Sequence, residues 1–139
     1  MQPLRWLLAI LLLSVFPTAL FCQSQTEMNI QASNAYIRAD KKLNYIYKKI
    51  LAEYRSDTVF IKNLKASQRL WVAFRDAQVK VRYPDREPGY YGTMQPICTL
   101  SYLEELTNER IRSLKVWIEG VANGDGCAGS VKIKVKKIE

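Results

Sequence analysis

Apolar side chains recur in steps of three and four through three stretches of the chain, the spacing that returns each of them to one side of a 3.6-residue helix. In the first stretch Ala32, Tyr36, Ala39, Leu43, Ile46 and Ile50 form the stripe, and Tyr47, Leu51 and Tyr54 thicken it. Neither Gly nor Pro interrupts Met28 to Tyr54, and Lys41, Lys42, Lys48 and Lys49 fall on the outer side. A long first helix is predicted there. In the second stretch Phe60, Leu64, Ser67, Trp71, Phe74 and Gln78 keep the same spacing, widened by Leu70 and Ala77. Ser56-Asp57-Thr58 supplies N-cap chemistry ahead of it, so a second helix is expected from Thr58 to Val81.

Pro84, Pro88, Gly89, Gly92 and Pro96 then break the pattern and predict a loop from Tyr83 to Ile97. Tyr90 and Tyr91 stand at its middle, either as a contact patch or as a lid folded back on the helices. Ser101-Tyr102-Leu103-Glu104 fits a capping box and places the start of a third helix. Leu103, Thr107, Arg110, Leu114 and Trp117/Ile118 would face inward, Leu106 and Ile111 would flank them, and Gly120 would stop the helix. The fold class that follows is all-α: a three-helix bundle of long antiparallel helices with its core over about residues 28–119. Asn123-Gly124-Asp125-Gly126 reads as a turn. Beyond it, in the basic tail 128–139, Val131, Ile133 and Val135 alternate with Lys132, Lys134 and Lys136, as in a half-buried strand. That segment could lie as an edge along the bundle, hang as a weakly ordered tail, or pair with another chain, and the weakly ordered tail is the expected form.

The first 22 residues do not share these patterns. Arg5, the apolar run Leu7 to Phe16, and the breaker-containing Pro17 to Cys22 resemble a secretory signal peptide. The run is about half the ~20 residues that a helix needs to cross a bilayer, so cleavage and export are expected rather than a permanent span. Cys22 could be lipidated, although the bulky Phe21 before it favours simple cleavage. Removing 22 of the 139 residues leaves 117, one domain's worth of chain, and the net charge falls from +8 to +7 because only Arg5 is lost. A cationic surface of this kind suits anionic envelope polymers or lipid headgroups. The lysines are spread rather than clustered, so solubility alone explains them equally well, and no nucleic-acid partner is expected.

Cys98 and Cys127 are expected to pair in an exported chain, with free thiols as the alternative. Such a bond is barely within reach. About nineteen helical residues span nearly 30 Å, and the eight steps from Glu119 to Cys127 extend at most about 28 Å.

Catalytic chemistry is thin. The sequence has no histidine, which removes the commonest general base and metal ligand, and it lacks a glycine-rich phosphate loop. A carboxylate pair acting on a glycoside could be drawn from Asp76, Asp85, Glu87, Glu104 or Glu105, but no spacing selects one. We therefore expect no enzyme, no cofactor and no metal. Polar groups beside the stripes carry more information: Asp40, Asn44 and Tyr47 on the first helix, Gln68, Trp71, Arg75 and Asp76 on the second, Thr107 and Arg110 on the third. They either satisfy one another between helices or line a polar cleft that binds a ligand.

Three blocks in order carry a family resemblance: Asp40-x-x-Leu43-Asn44-x-x-Tyr47; Leu64-Lys65-x-x-Gln68-x-x-Trp71-x-x-x-Arg75-Asp76-Ala77; and Cys98 followed by Leu106-Thr107-x-x-Arg110-x-x-x-Leu114-Lys115. Together they resemble the N-terminal domain of LprI-like lysozyme inhibitors, from about Met28 to Ile118. The resemblance implies a small, exported, mainly helical domain of bacterial envelopes, with lysozyme or another envelope protein as partner. Similar domains tend to carry cysteines where this chain has Val79 and, near the first helix start, Gln31 and Ala32; the resemblance thus implies an altered disulfide pattern in which Cys127 replaces a lost partner of Cys98.

Overall fold

The computed structural model describes residues 24–134 and contains three α-helices: α1 (Gln25–Glu53), α2 (Thr58–Arg82) and α3 (Gln95–Glu119). The leader read from residues 1–22, with Cys22, lies outside the described residues, as do 135–139 of the basic tail. No described helix is long and apolar enough to cross a membrane.

Capping chemistry fixes the first two helix starts. Ser24 Oγ accepts from Glu27 N at 3.2 Å, so α1 begins three residues ahead of the expected Met28. Asp57 Oδ1 accepts from Phe60 N at 2.9 Å and starts α2 where the sequence placed it. Helix α2 stops at Arg82 because Tyr83 precedes Pro84, whose ring disfavours helical backbone in its neighbour.

The third start is a correction. Ser101 and Glu104 sit inside α3, not at its cap, because the helix begins six residues earlier at Gln95. Pro96 is tolerated in the first turn, where its missing N–H had no helical partner, and nothing between Ile97 and Glu119 halts propagation back to it. The connecting loop is correspondingly shorter, 83–94. At the other end Gly120 terminates α3 at a φ of 74°.

The helices run up, down and up. Gln25 Nε2 donates to Thr93 O at one end, while at the other Tyr54 OH donates to Trp117 O, so α1 and α3 are parallel. Helix α2 is antiparallel to α3, with Gln78 opposite Tyr102 and Phe60 opposite Trp117. The core lies mainly between α1 and α3: Leu43, Ile46 and Ile50 meet Ile111 and Leu114, and α2 adds Leu64. Trp71 packs against this cluster, partly buried.

Helix α2 is rotated from the expected orientation. Phe74 is 53% exposed and Leu70 72%, although both were read as part of the inward stripe. Arg75 takes the inward place instead, its side chain only 13% accessible. The spacing of three and four fits either neighbouring face of α2, and the outer one keeps Val59, Leu70, Phe74 and Val81 in solvent.

The segment after α3 is, as far as Lys134, an edge laid on the end of the bundle and not the expected weakly ordered tail. Val121 N donates to Lys132 O at 2.9 Å and Lys134 N to Val121 O at 2.7 Å, which makes an isolated parallel bridge between Val121 and Ile133. Lys132 also donates its main-chain N–H to Tyr54 OH at 3.2 Å, and its ammonium lies 2.7 Å from Glu53 Oε2. No named strand occurs among the described residues.

The expected disulfide is absent: Cys98 and Cys127 are both free and exposed. With α3 starting at Gln95, Cys98 stands in its first turn. The twenty-one steps on to Glu119 cover about 32 Å. The bridge at Val121 then holds the following turn at the far end, while a disulfide needs Cα atoms within about 7 Å.

Candidate binding surface

Most of the polar residues singled out in the sequence converge on Trp71. Arg75 lies 5.4 Å from the ring centroid and Arg110 5.9 Å, a cation on each of two approaches to one indole. Arg75 is held by carboxylates: its Nη2 is 2.8 Å from Asp76 Oδ1, its Nε donates to the same oxygen at 2.9 Å, and its Nη1 is 3.9 Å from Asp40 Oδ1. Asn44 completes that side by donating to Asp40 Oδ2 at 2.9 Å. Arg110 is held by neutral oxygens. Its Nε donates to Gln68 Oε1 at 3.1 Å and its Nη2 to Ser67 Oγ at 3.0 Å. Burial pushes the Arg110 pKa down, and among the described residues no carboxylate forms an ion pair with it.

Two predicted members stand apart. Thr107 is fully buried and returns its hydroxyl to Leu103 O at 2.7 Å within its own helix, so it satisfies itself. Tyr47 packs against the apolar core. Ser67, a member of the helically spaced stripe of α2, serves as an acceptor for Arg110, and its four-residue step from Trp71 gives no sign of that. The candidate carboxylates are spread over α2, the loop and α3, where Glu104 and Glu105 lie, and Asp85 and Glu87 line one small cavity in the loop. Asp76 is occupied by Arg75, Glu104 accepts from Asn108 at 3.5 Å, and Asp85 and Glu87 sit in the loop. No group of three or more potential metal ligands occurs among the described residues.

Below Arg110, a groove of about 630 Å³ opens between α2 and α3. Val59, Phe60, Leu64, Leu114 and Trp117 give it apolar walls, Asp57 and Ser130 close its lower end, and Ser113 stands on its rim. Trp117 Nε1 is buried without an acceptor among the described residues.

The loop 83–94 is a built structure. Tyr91 stacks edge-on with Tyr83 at 5.5 Å and with Tyr90 at 4.9 Å, and its hydroxyl donates to Pro84 O at 2.9 Å. Two turns, closed by Tyr90 N to Glu87 O and Gly92 N to Gly89 O, bring the tyrosines together; Gly89 and Gly92 have φ of 86° and 74°, where a side chain would be strained. Tyr91 therefore anchors the loop, and Tyr90, 68% exposed with Arg86 5.9 Å from its ring, forms the protruding tip. Tyr91 packs within the loop, on Tyr83, Tyr90 and Pro84, and Tyr90 stands in solvent.

No solved structure matches the chain. An uncharacterized protein of Rhizobium meliloti (strain 1021), R02472, is 30% identical over 111 residues, which cover 72% of this chain and 78% of that protein. The sequence profile of the family described as lysozyme inhibitor LprI matches residues 22–114, the span that holds all three helices except the last residues of α3 together with the Trp71 cluster and the loop. On that match the chain belongs to the lysozyme inhibitor LprI family.

Proposed function

We propose that this protein is exported to the bacterial envelope, where it binds a lysozyme and blocks its cleft. The observation that carries this reading is the family match over residues 22–114. The loop supports it chemically. A glycoside-cleaving cleft carries two acidic side chains, and Arg86 against the exposed Tyr90 offers a cation on a rigid aromatic tip. Tyr and Arg, with Trp, are the side chains enriched among those that dominate binding energy when an interface closes over them. The net charge, +8 for the whole chain and +7 without residues 1–22, gives no long-range attraction to a basic lysozyme, so affinity rests on these local contacts. Purified protein added to a panel of lysozymes at low and moderate salt tests the reading. Inhibition at micromolar protein is expected, and unchanged turnover across the panel refutes it.

A second reading has its own observation. Lys62, Lys65, Arg69 and Lys80 are exposed on α2 and form no ion pair among the described residues. A cationic module that holds anionic polymers or lipid headgroups would present such a face. Retention on an anionic matrix that collapses with salt supports it, and salt-indifferent retention removes it.

A further inference from the structure

We infer that the groove between α2 and α3 is a binding site for a small amphipathic carboxylate, with the acid group on Arg110 and an apolar body lying toward Trp117. The inference does not depend on lysozyme inhibition, and its test is separate.

The head of the site is defined by what Arg110 lacks. A guanidinium has five N–H donors. Here one Nε proton goes to Gln68 and one Nη2 proton to Ser67, both neutral acceptors. The other three donors have no acceptor among the described residues, enough for the paired hydrogen bonds that a carboxylate accepts from an arginine fork. Arg75, on the same indole, already has Asp76 and Asp40. Thus the two cations beside Trp71 differ: Arg75 is paired with carboxylates, and Arg110 has no carboxylate partner among the described residues. Partial burial adds to this, because a desolvated cation gains more from an incoming anion than a fully hydrated one.

The body of the site is defined by the walls. From Arg110 to Trp117 is seven residues of α3, about 10 Å of apolar groove. Its volume of about 630 Å³ falls within the range of small-molecule sites, which are typically apolar with a few placed polar groups. Asp57 at the lower end sets the direction, since a negative head group there would meet a carboxylate. The occupant that fits is a monocarboxylate with one unbranched or lightly branched apolar chain of that length.

Decanoate is the probe, with decanol and decyltrimethylammonium as neutral and cationic counterparts, each below its micellar concentration. Tryptophan emission is followed during titration, because Trp117 lines the groove and Trp71 touches Arg110. Saturable binding of decanoate is expected to exceed that of the cation, and Arg110→Gln should weaken it by about tenfold to a hundredfold, the worth of a charge-assisted hydrogen bond. Arg110→Lys should recover part of the loss. Ser113→Trp, on the exposed rim, leaves Arg110 in place and should block entry. Far-ultraviolet circular dichroism checks that each variant is helical. Equal binding of decanoate and decyltrimethylammonium, no saturable binding of any probe, or full binding by the Ser113→Trp variant would overturn the proposal.

Discussion

The hydroxyl of Tyr54 donates to the main-chain carbonyl of Trp117 at 3.1 Å, across the ends of α1 and α3. It also accepts from Lys132 N at 3.2 Å, so a single oxygen joins both parallel helices to the returning C-terminal segment. The Tyr54 ring lies 4.5 Å from Phe60 and carries the link on to α2.

Tyr54→Phe keeps the ring and removes both hydrogen bonds. Each is worth about 0.5–1.5 kcal/mol net, so a loss of roughly 1–3 kcal/mol is expected in urea unfolding. Amide exchange at Lys132 should accelerate more than exchange in the middle of α3. Equal acceleration at both places would mean that the hydroxyl supports the bundle as a whole and not the docked segment.

The unequal burial of α2 makes a sharper comparison. Leu114, 1% exposed between α1 and α3, should cost about 2–5 kcal/mol when changed to Ala, the usual range for a buried leucine. Phe74, read from its spacing as core, should cost less than about 1 kcal/mol, as for a substitution away from packed contacts. Midpoints of urea denaturation decide between the two assignments of Phe74. A large loss on Phe74→Ala would place α2 in the orientation that the sequence pattern first suggested.

How much of this was legible follows from the kind of signal involved. Helices α1 and α2 were readable because Asp57 is a cap residue and because the stripe from Ala32 to Ile50 is unbroken over five turns. The start of α3 was not, since Ser101 and Glu104 have the spacing of a capping box wherever they occur, and only the propagation back to Pro96 shows that they are interior. The rotation of α2 was hidden because Leu70, Phe74 and Val81 form an apolar stripe of their own beside Leu64 and Trp71. Of the polar cluster, the Asp40, Asn44 and Arg75 side was readable from charge and helical spacing. The contrast between Arg75 and Arg110 was not, because it depends on which helix stands opposite each.

Cys98 and Cys127 should both react with iodoacetamide in the folded, non-reduced protein, being exposed and at opposite ends of α3. Peptide mapping after alkylation reads each site separately. A peptide joining Cys98 to Cys127 would contradict the course of the chain from Glu119 to Cys127, since about 32 Å of helix separates the two ends.

Gly120 holds the turn that brings the chain back. Its φ of 74° is costly for any other residue, and a Cβ there would stand 2.6 Å from Lys132 O. Gly120→Ala should therefore destabilise by more than about 1 kcal/mol, the lower end of the cost of a strained backbone position. It should also uncouple Lys132 from Tyr54. Faster amide exchange at Lys134, whose N–H is bonded to Val121 O, is the readout. Unchanged protection there would show that the segment docks independently of the turn.

The loop tip separates contact from support. Tyr90 is exposed and makes no hydrogen bond through its hydroxyl among the described residues, so Tyr90→Ala should leave the unfolding midpoint within about 0.5 kcal/mol of the parent. If the tip enters a lysozyme cleft, the same change should raise the inhibition constant by at least about tenfold, as for an aromatic residue at the centre of an interface. Tyr91→Phe is the counterpart: it loses the bond to Pro84 O and should cost about 0.5–1.5 kcal/mol locally while leaving the Tyr90 ring in place. Its effect on inhibition should be the smaller of the two, because a loosened tip still presents the same side chains. Inhibition that survives Tyr90→Ala but falls with Tyr91→Phe would move the contact from the aromatic tip to the backbone of the loop.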